Sequence, residues 1–298
     1  MKKIFLFVCT LSSVFGDIYP QKALDSLLFS YNQEEKEAID EDYQSIKNII
    51  FPKEIADERI YIATAGPPGA GKSTLFELFL RKNFPHISFA YIDPDQWTMR
   101  YMIHTYYQRS LNAADLIQYT THLEATKAAY EKWRDASNYI SKSLFNEACL
   151  DGISIAHGTT STSSFVPDLY EKLHEKNYKI HLALVAATPN FCNEAIKIRQ
   201  EERKYYQSTL KDENEKARWF LEKIPIYFKY ADQIYLFWHE DFPISDIPIA
   251  IFTKQGAFYY NKEAFARFVD QYETARARSS REDLPSMEVL IQQYLDDA

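Results

Sequence analysis

Apolar residues follow two periodicities along the chain, and their alternation predicts the architecture. Short, nearly unbroken apolar runs recur at Ile60-Tyr61-Ile62-Ala63-Thr64-Ala65, Ile87-Ser88-Phe89-Ala90-Tyr91-Ile92, Ile153-Ser154-Ile155-Ala156, Ile180 to Ala187 and Gln233 to Trp238. Runs of that length and continuity read as strands buried on both faces, as in a parallel sheet. Between them the pattern becomes helical: Leu75-Phe76-Glu77-Leu78-Phe79-Leu80 first, then a long stretch from 113 to 149 marked by Ala125, Ala128, Ala129, Trp133, Ala136, Ile140 and Leu144. Strands alternating with helices make an α/β fold. Ile249 to Phe252 and Ala257 to Tyr260, joined across Lys254-Gln255-Gly256, predict a closing hairpin. Amphipathic helices around 264–275 and 287–295 finish the chain. Ahead of the first strand, Leu24, Leu27, Leu28 and Tyr31, then Ile39, Tyr43, Ile46 and Ile49, predict one or two helices. The organisation expected is a leader over 1–20, a helical segment over 21–58, a catalytic-size α/β unit over 59–260 and C-terminal helices over 261–298.

The leader starts with Lys2-Lys3, runs apolar from Ile4 to Phe15 and reaches Gly16 and Pro20. That order resembles a secretion signal and is short for a bilayer span; a buried N-terminal helix is the other reading. No other stretch has the length and apolarity to cross a membrane. The 298 residues suffice for a full core, and the net charge of −8 gives no basic footprint, so a nucleic-acid partner has no support and a small ligand is expected. Cys9, Cys149 and Cys192 show neither paired metal spacing nor a disulfide framework. The acidic runs at Glu34-Glu35-Lys36-Glu37 and Asp40-Glu41-Asp42 read as solvated helix faces.

Chemistry concentrates after the first strand, in Gly66-Pro67-Pro68-Gly69-Ala70-Gly71-Lys72-Ser73-Thr74, which holds three of the chain's seven glycines. Strand, glycine loop and helix in this order make a nucleotide phosphate loop: successive N–H groups curl around one anion at a helix N-terminus. Lys72 is placed for the β- and γ-phosphates of ATP or GTP and the Ser73 hydroxyl for Mg²⁺. The fold expected is therefore a P-loop NTPase or kinase-like three-layer sandwich. In such sheets the carboxyl ends of the strands line the ligand crevice. Asp93-Pro94-Asp95 ends the second strand, so one of its carboxylates is a candidate base and Asp93 a candidate metal ligand; a turn that caps the next helix is the alternative. His157-Gly158-Thr159-Thr160-Ser161-Thr162 ends the third strand, with His157 either structural or at the substrate and the hydroxyls either capping or binding. After the fourth strand a helix carries Arg199, Arg203, Lys204 and, further on, Lys211. These cations read as a lid over the γ-phosphate or, with Glu194, Glu201 and Glu202 interleaved, as a mixed-charge solvated face.

With these pieces in order the chain resembles the zeta toxin family of P-loop kinases from toxin–antitoxin systems, over about residues 60 to 260. The resemblance implies transfer of the ATP γ-phosphoryl group to the 3′-hydroxyl of the amino sugar in UDP-N-acetylglucosamine, with an antitoxin as partner. It implies that Asp95 accepts the sugar hydroxyl proton and that Thr159 contacts substrate. It also implies that Arg199 is the first lid cation, with Arg203 or Lys211 the second. Where the family usually has a glutamate before Gly158-Thr159, this chain has His157. The other readings of the motif set are a P-loop kinase for a nucleoside, an antibiotic or a nucleic-acid end, and an ATP-binding interaction protein or exported effector impaired in transfer.

Overall fold

A computed structural model describes residues 16–111, 121–203, 210–281 and 283–297. The leader up to residue 15, and the part of the predicted long helical stretch over 113–120, lie outside the described residues. Among the described residues seven strands form one sheet, in the order β2-β3-β1-β4-β5-β6-β7. They are β1 (Ile60–Ala65), β2 (Ala90–Ile92), β3 (Ile155–His157), β4 (Lys179–Ala187), β5 (Gln233–His239), β6 (Ala250–Thr253) and β7 (Gly256–Tyr259). The first five pair in parallel and the last two add an antiparallel hairpin. β1 lies between β3 and β4, with Tyr61 in register with Ile155 on one side and Ile180 on the other. All six of its residues are buried, as an unbroken apolar run at the sheet centre requires.

Alternation along β1 divides the interior into two cores. Tyr61, Ala63 and Ala65 face one, while Ile60 and Ile62 face the other. The second core holds α3 (Lys72–Asn83) through Leu75, Phe76 and Phe79, and α6 (Pro189–Arg203) through Phe191, Cys192 and Ala195. The first core takes α2 (Gln33–Ile50), α4 (His122–Asp151), α5 (Val166–Glu175), α7 (Leu210–Tyr230), α8 (Lys262–Arg278) and α9 (Met287–Asp296); α1 (Gln21–Ser26) precedes them. Helices on both faces of a mainly parallel sheet make the three-layer α/β sandwich expected from the pattern.

Two predicted strand starts move, each for a local reason. The second strand begins at Ala90 rather than Ile87, because Ile87 N–H closes a turn onto Phe84 C=O and pairing begins where Ala90 N–H meets Ser154 C=O. The third strand begins at Ile155 rather than Ile153. Ile153 N–H still bonds Ala148 C=O at the end of α4, and Ser154 Oγ accepts from Ile60 N–H and donates to Glu58 C=O. The long helix has a capping box at its start, with Thr121 Oγ1 accepting from Glu124 N–H and the Glu124 carboxylate accepting from Thr121 N–H. Gly152, with φ +72°, ends it. No described helix is long and apolar enough to cross a membrane.

Candidate active site

The loop Gly66 to Gly71 turns the chain from the end of β1 into α3. Gly69 has φ +79°, and a Cβ there would lie 2.5 Å from the Cys192 carbonyl oxygen, so only glycine lets the loop settle against α6. Gly71 occupies the N-cap of α3 with φ +87° and has no side chain to cap the helix. The first-turn N–H groups therefore face outward at the positive end of the helix dipole, an arrangement that binds anions. Lys72 Nζ donates to the carbonyls of Gly66 at 2.9 Å and Pro67 at 2.7 Å. Burial pushes its ammonium down to about 7, and the like charges of Arg199 and Lys216 push the same way. Excess positive charge converging on one lysine is relieved by an anion.

The cradle is braced from three sides. Gly66 N–H donates to Thr160 C=O at 3.3 Å. His239, at the end of β5, sets Nδ1 2.8 Å from Ala70 C=O and Nε2 3.2 Å from Ser245 C=O. Thr64 Oγ1 donates to Thr159 C=O at 2.7 Å and accepts from Thr159 N–H at 3.1 Å, while Ser161 Oγ donates to Thr64 C=O. Tyr227 of α7 donates to Ser161 C=O at 2.7 Å. The hydroxyl-rich loop is thus stitched to the end of β1, and Thr159 Oγ1 accepts from Ser161 N–H within its own loop.

At the neighbouring strand end, Asp93 is buried at the end of β2 and Asp95 is half-exposed two residues on. A Cβ on Gly158 would come within 2.4 Å of Asp93 Oδ2, so the glycine after β3 makes room for that carboxylate. Asp93 Oδ1 accepts from Asp95 N–H at 2.9 Å. The Asp95 carboxylate meets Arg134 of α4 through Oδ1, and Tyr130 donates to the same oxygen at 3.3 Å. His157 sits between Tyr61 and Phe145, with ring centroids 5.9 and 5.3 Å away. Its Nδ1 lies 2.9 Å from the Tyr61 hydroxyl. Burial raises the Tyr61 phenol well above its ordinary range and pushes His157 down to about 4, so both are neutral near pH 7. A neutral imidazole carries one ring N–H and no charge, so His157 offers a single donor and a single acceptor where a carboxylate would bring a negative charge.

Among the described residues no group of three His, Cys, Asp or Glu side chains forms a metal cluster. Ser73 at the start of α3 and Asp93 at the end of β2 are oxygen donors, and the Asp93 charge acts on Lys72. A hydroxyl and one carboxylate beside a phosphate cradle suit Mg²⁺, which keeps waters and takes further oxygens from the phosphates.

The structure brings Lys72, Asp93 and Arg199 into one electrostatic neighbourhood and sets Asp95, His157 and Thr159 at the adjoining strand ends. Arg203 ends α6; its side chain, with that of Lys211, and Lys204 itself lie outside the described residues. Four contributors were not singled out from the sequence. Lys216 is half-buried one helical turn before Phe220, on the stripe of α7 that continues through Ile224 and Tyr227. Its signal was that stripe extended toward the helix start. His239 was signalled by its place just past the predicted fifth strand. Tyr130 and Arg134, spaced i, i+4 beside the apolar face of the long helix, carried the weakest signal.

A family model described as Zeta toxin matches residues 52–219. Among solved structures, a chain from the PezAT chromosomal toxin–antitoxin system of Streptococcus pneumoniae superposes with a TM-score of 0.53 at 17% identity, covering 90% of this chain and 95% of that one. The AvrRxo1-ORF1:AvrRxo1-ORF2 complex with ATP gives a TM-score of 0.56 at 10% identity, covering 95% of this chain and 92% of that one. At these identities the likeness is one of fold. A search of curated proteins finds no match to the sequence.

Proposed function

Because the chain belongs to the Zeta toxin family, we propose that it is an ATP-dependent phosphotransferase acting on a hydroxyl of a small metabolite, with the 3′-hydroxyl of the amino sugar in UDP-N-acetylglucosamine as acceptor. The observation that carries this reading is Lys72, a half-buried lysine in a glycine cradle, its ammonium pushed down by desolvation and by the positive charges of Arg199 and Lys216. Such a site stabilises the charge on a transferring phosphoryl group and asks little covalent chemistry of the protein.

In this reading the N–H groups from Gly69 to Ser73 hold the nucleotide phosphates. Lys72 leaves the Gly66 and Pro67 carbonyls to meet them, and Arg199 with Lys216 closes from the α6–α7 side. Asp95 accepts the acceptor's hydroxyl proton as the oxygen attacks the γ-phosphorus, and the bond from that phosphorus to the β,γ-bridging oxygen breaks to release ADP. Ser73 and Asp93 would hold Mg²⁺, which when bound neutralises phosphate charge. His157 presents a neutral ring to the acceptor where the family usually presents a carboxylate. Likeness to a chain of a toxin–antitoxin system supports a separate antitoxin chain as protein partner.

The test is to incubate the purified protein with γ-labelled ATP and a panel containing UDP-N-acetylglucosamine, nucleosides, aminoglycosides and oligonucleotide ends. Label on the nucleotide sugar supports the proposal. Label on another acceptor keeps the kinase and overturns the substrate, and ATP binding without transfer to any hydroxyl overturns both.

A further inference from the structure

The long helix α4 carries a polar stripe with no part in its own folding. Tyr130, Arg134, Ser137 and Ser141 are spaced four, three and four residues apart, so they share one face of the helix. All four meet the π-helical turn that follows β2, Pro94–Thr98. Ser141 Oγ pairs with Thr98 Oγ1 at 2.8 Å, and both side chains are buried. Ser137 Oγ donates to Pro94 C=O. One and two turns further toward the helix start, Arg134 and Tyr130 both meet the Asp95 carboxylate, and both use Oδ1. The guanidinium also lies over the Tyr130 ring, 5.3 Å from its centroid, which fixes the two side chains against each other.

Buried apolar packing alone would hold α4 against the sheet, since Trp133, Ala136, Ile140 and Leu144 are fully buried beside this stripe. The stripe does something narrower. It fixes the turn at Pro94 and Thr98, on either side of Asp95, and then fixes one oxygen of the Asp95 carboxylate. Asp95 N–H bonding to Asp93 Oδ1 pins the backbone of the same residue. With its backbone and both flanks held, the Asp95 carboxylate is further constrained at Oδ1 by Arg134 and Tyr130.

We propose that Arg134 and Tyr130 are positioning residues for Asp95, holding Oδ1 so that Oδ2 is aimed at the acceptor hydroxyl. The inference rests on the reading of Asp95 as the base and adds the group that orients it. A base whose orientation is preset gives proton transfer its geometry without reorganisation at the moment of reaction, and misplacement by about 1 Å costs on the order of 10²-fold. The pair touches neither nucleotide nor phosphate in this account, so its loss should lower turnover while leaving ATP binding intact.

The experiment compares wild type with Arg134→Gln, Arg134→Lys and Tyr130→Phe, using UDP-N-acetylglucosamine as the acceptor probe. For Arg134→Gln, kcat should fall about 10- to 100-fold with KM for ATP and for the sugar within about twofold. Arg134→Lys should recover part of that loss by restoring the charge, and Tyr130→Phe should cost only a few-fold. Unchanged kcat in Arg134→Gln overturns the proposal, as does a raised KM for the sugar at constant kcat, which would make Arg134 a substrate contact. If Arg134→Gln does not fold, Tyr130→Phe decides, with an unchanged kcat counting against the pair. A wild-type protein inert toward this sugar overturns the substrate reading rather than this one. Crystal structures of wild type and Arg134→Gln then decide it: a carboxylate that loses its single orientation supports the proposal, and the same orientation in both overturns it.

Discussion

The phosphate cradle and the acceptor side occupy neighbouring strand ends but are built from different material. The cradle is backbone: N–H groups at the start of α3, glycines that tolerate left-handed geometry and close contact with α6, and one lysine folded into the loop. The acceptor side is side chains drawn from distant parts of the chain: Asp95 from the turn after β2, Arg134 and Tyr130 from α4, and His157 from β3, leaning on Tyr61 of β1. A backbone site tolerates little change in sequence because its geometry fixes which residues fit. A side-chain site keeps its shape while its chemistry changes with single residues. In the proposed reading, the phosphate half of the site is fixed by backbone geometry, while the acceptor half depends on single side chains, His157 among them.

The comparison can be broken at the donor end first. Lys72→Ala should reduce phosphoryl transfer by about 10³-fold or more without unfolding the protein, measured as labelled γ-phosphate appearing on acceptor alongside a thermal melt. Near-wild-type transfer in that variant would remove the cradle from the mechanism. Arg199→Ala should cost about 10²-fold in turnover, since charge at the transferring group is lost while the cradle persists. An effect on ATP affinity alone would place Arg199 in binding and not in transfer.

Gly69→Ala tests the backbone character of the cradle. The added Cβ meets Cys192 C=O at a positive φ, so stability should drop by about 2 kcal/mol in urea unfolding, with ATP affinity falling as well. A variant as stable as wild type would mean that α6 yields and that the loop is not fixed by close contact.

The smallest effect belongs to His157 and depends on pH. Its folded pKa is depressed from 6.5 to about 4, so the unfolded chain takes up a proton between those values and the folded protein does not. The stabilisation from keeping the ring neutral is therefore complete above about 6.5 and is lost as pH falls toward 4. Because the ring is only half-buried, the change is expected to be about 1 kcal/mol. His157→Phe should flatten the dependence of the unfolding midpoint between pH 7 and pH 4.5, and an unchanged slope would place the titration elsewhere.

What the sequence disclosed follows the same division. The strands β1, β4 and β5, the closing hairpin and the phosphate loop were legible because each depends on local order: an unbroken apolar run, a turn sequence, or glycines at fixed spacing. Residues 87–89 read as strand from their apolarity but fall outside β2, because pairing depends on where β3 presents its carbonyls. Asp95 was legible as a strand-end carboxylate. Its partners were not, since nothing in Tyr130 or Arg134 states that they reach a residue 35 or more positions away. Lys216 was hidden in the same way, being one more charge on a helix rich in them until α7 is laid across the sheet. The contact between His157 and Tyr61 was hidden too, since only the pairing of β1 with β3 brings the two together.

The most direct test of the division is single-turnover transfer from enzyme-bound γ-labelled ATP in wild type and Asp95→Asn, with ATP affinity measured on the same samples. The account predicts equal ATP binding in the two proteins and transfer to the acceptor slowed at least about 10²-fold in the variant. Transfer at the wild-type rate, or equal losses in binding and transfer, would contradict it.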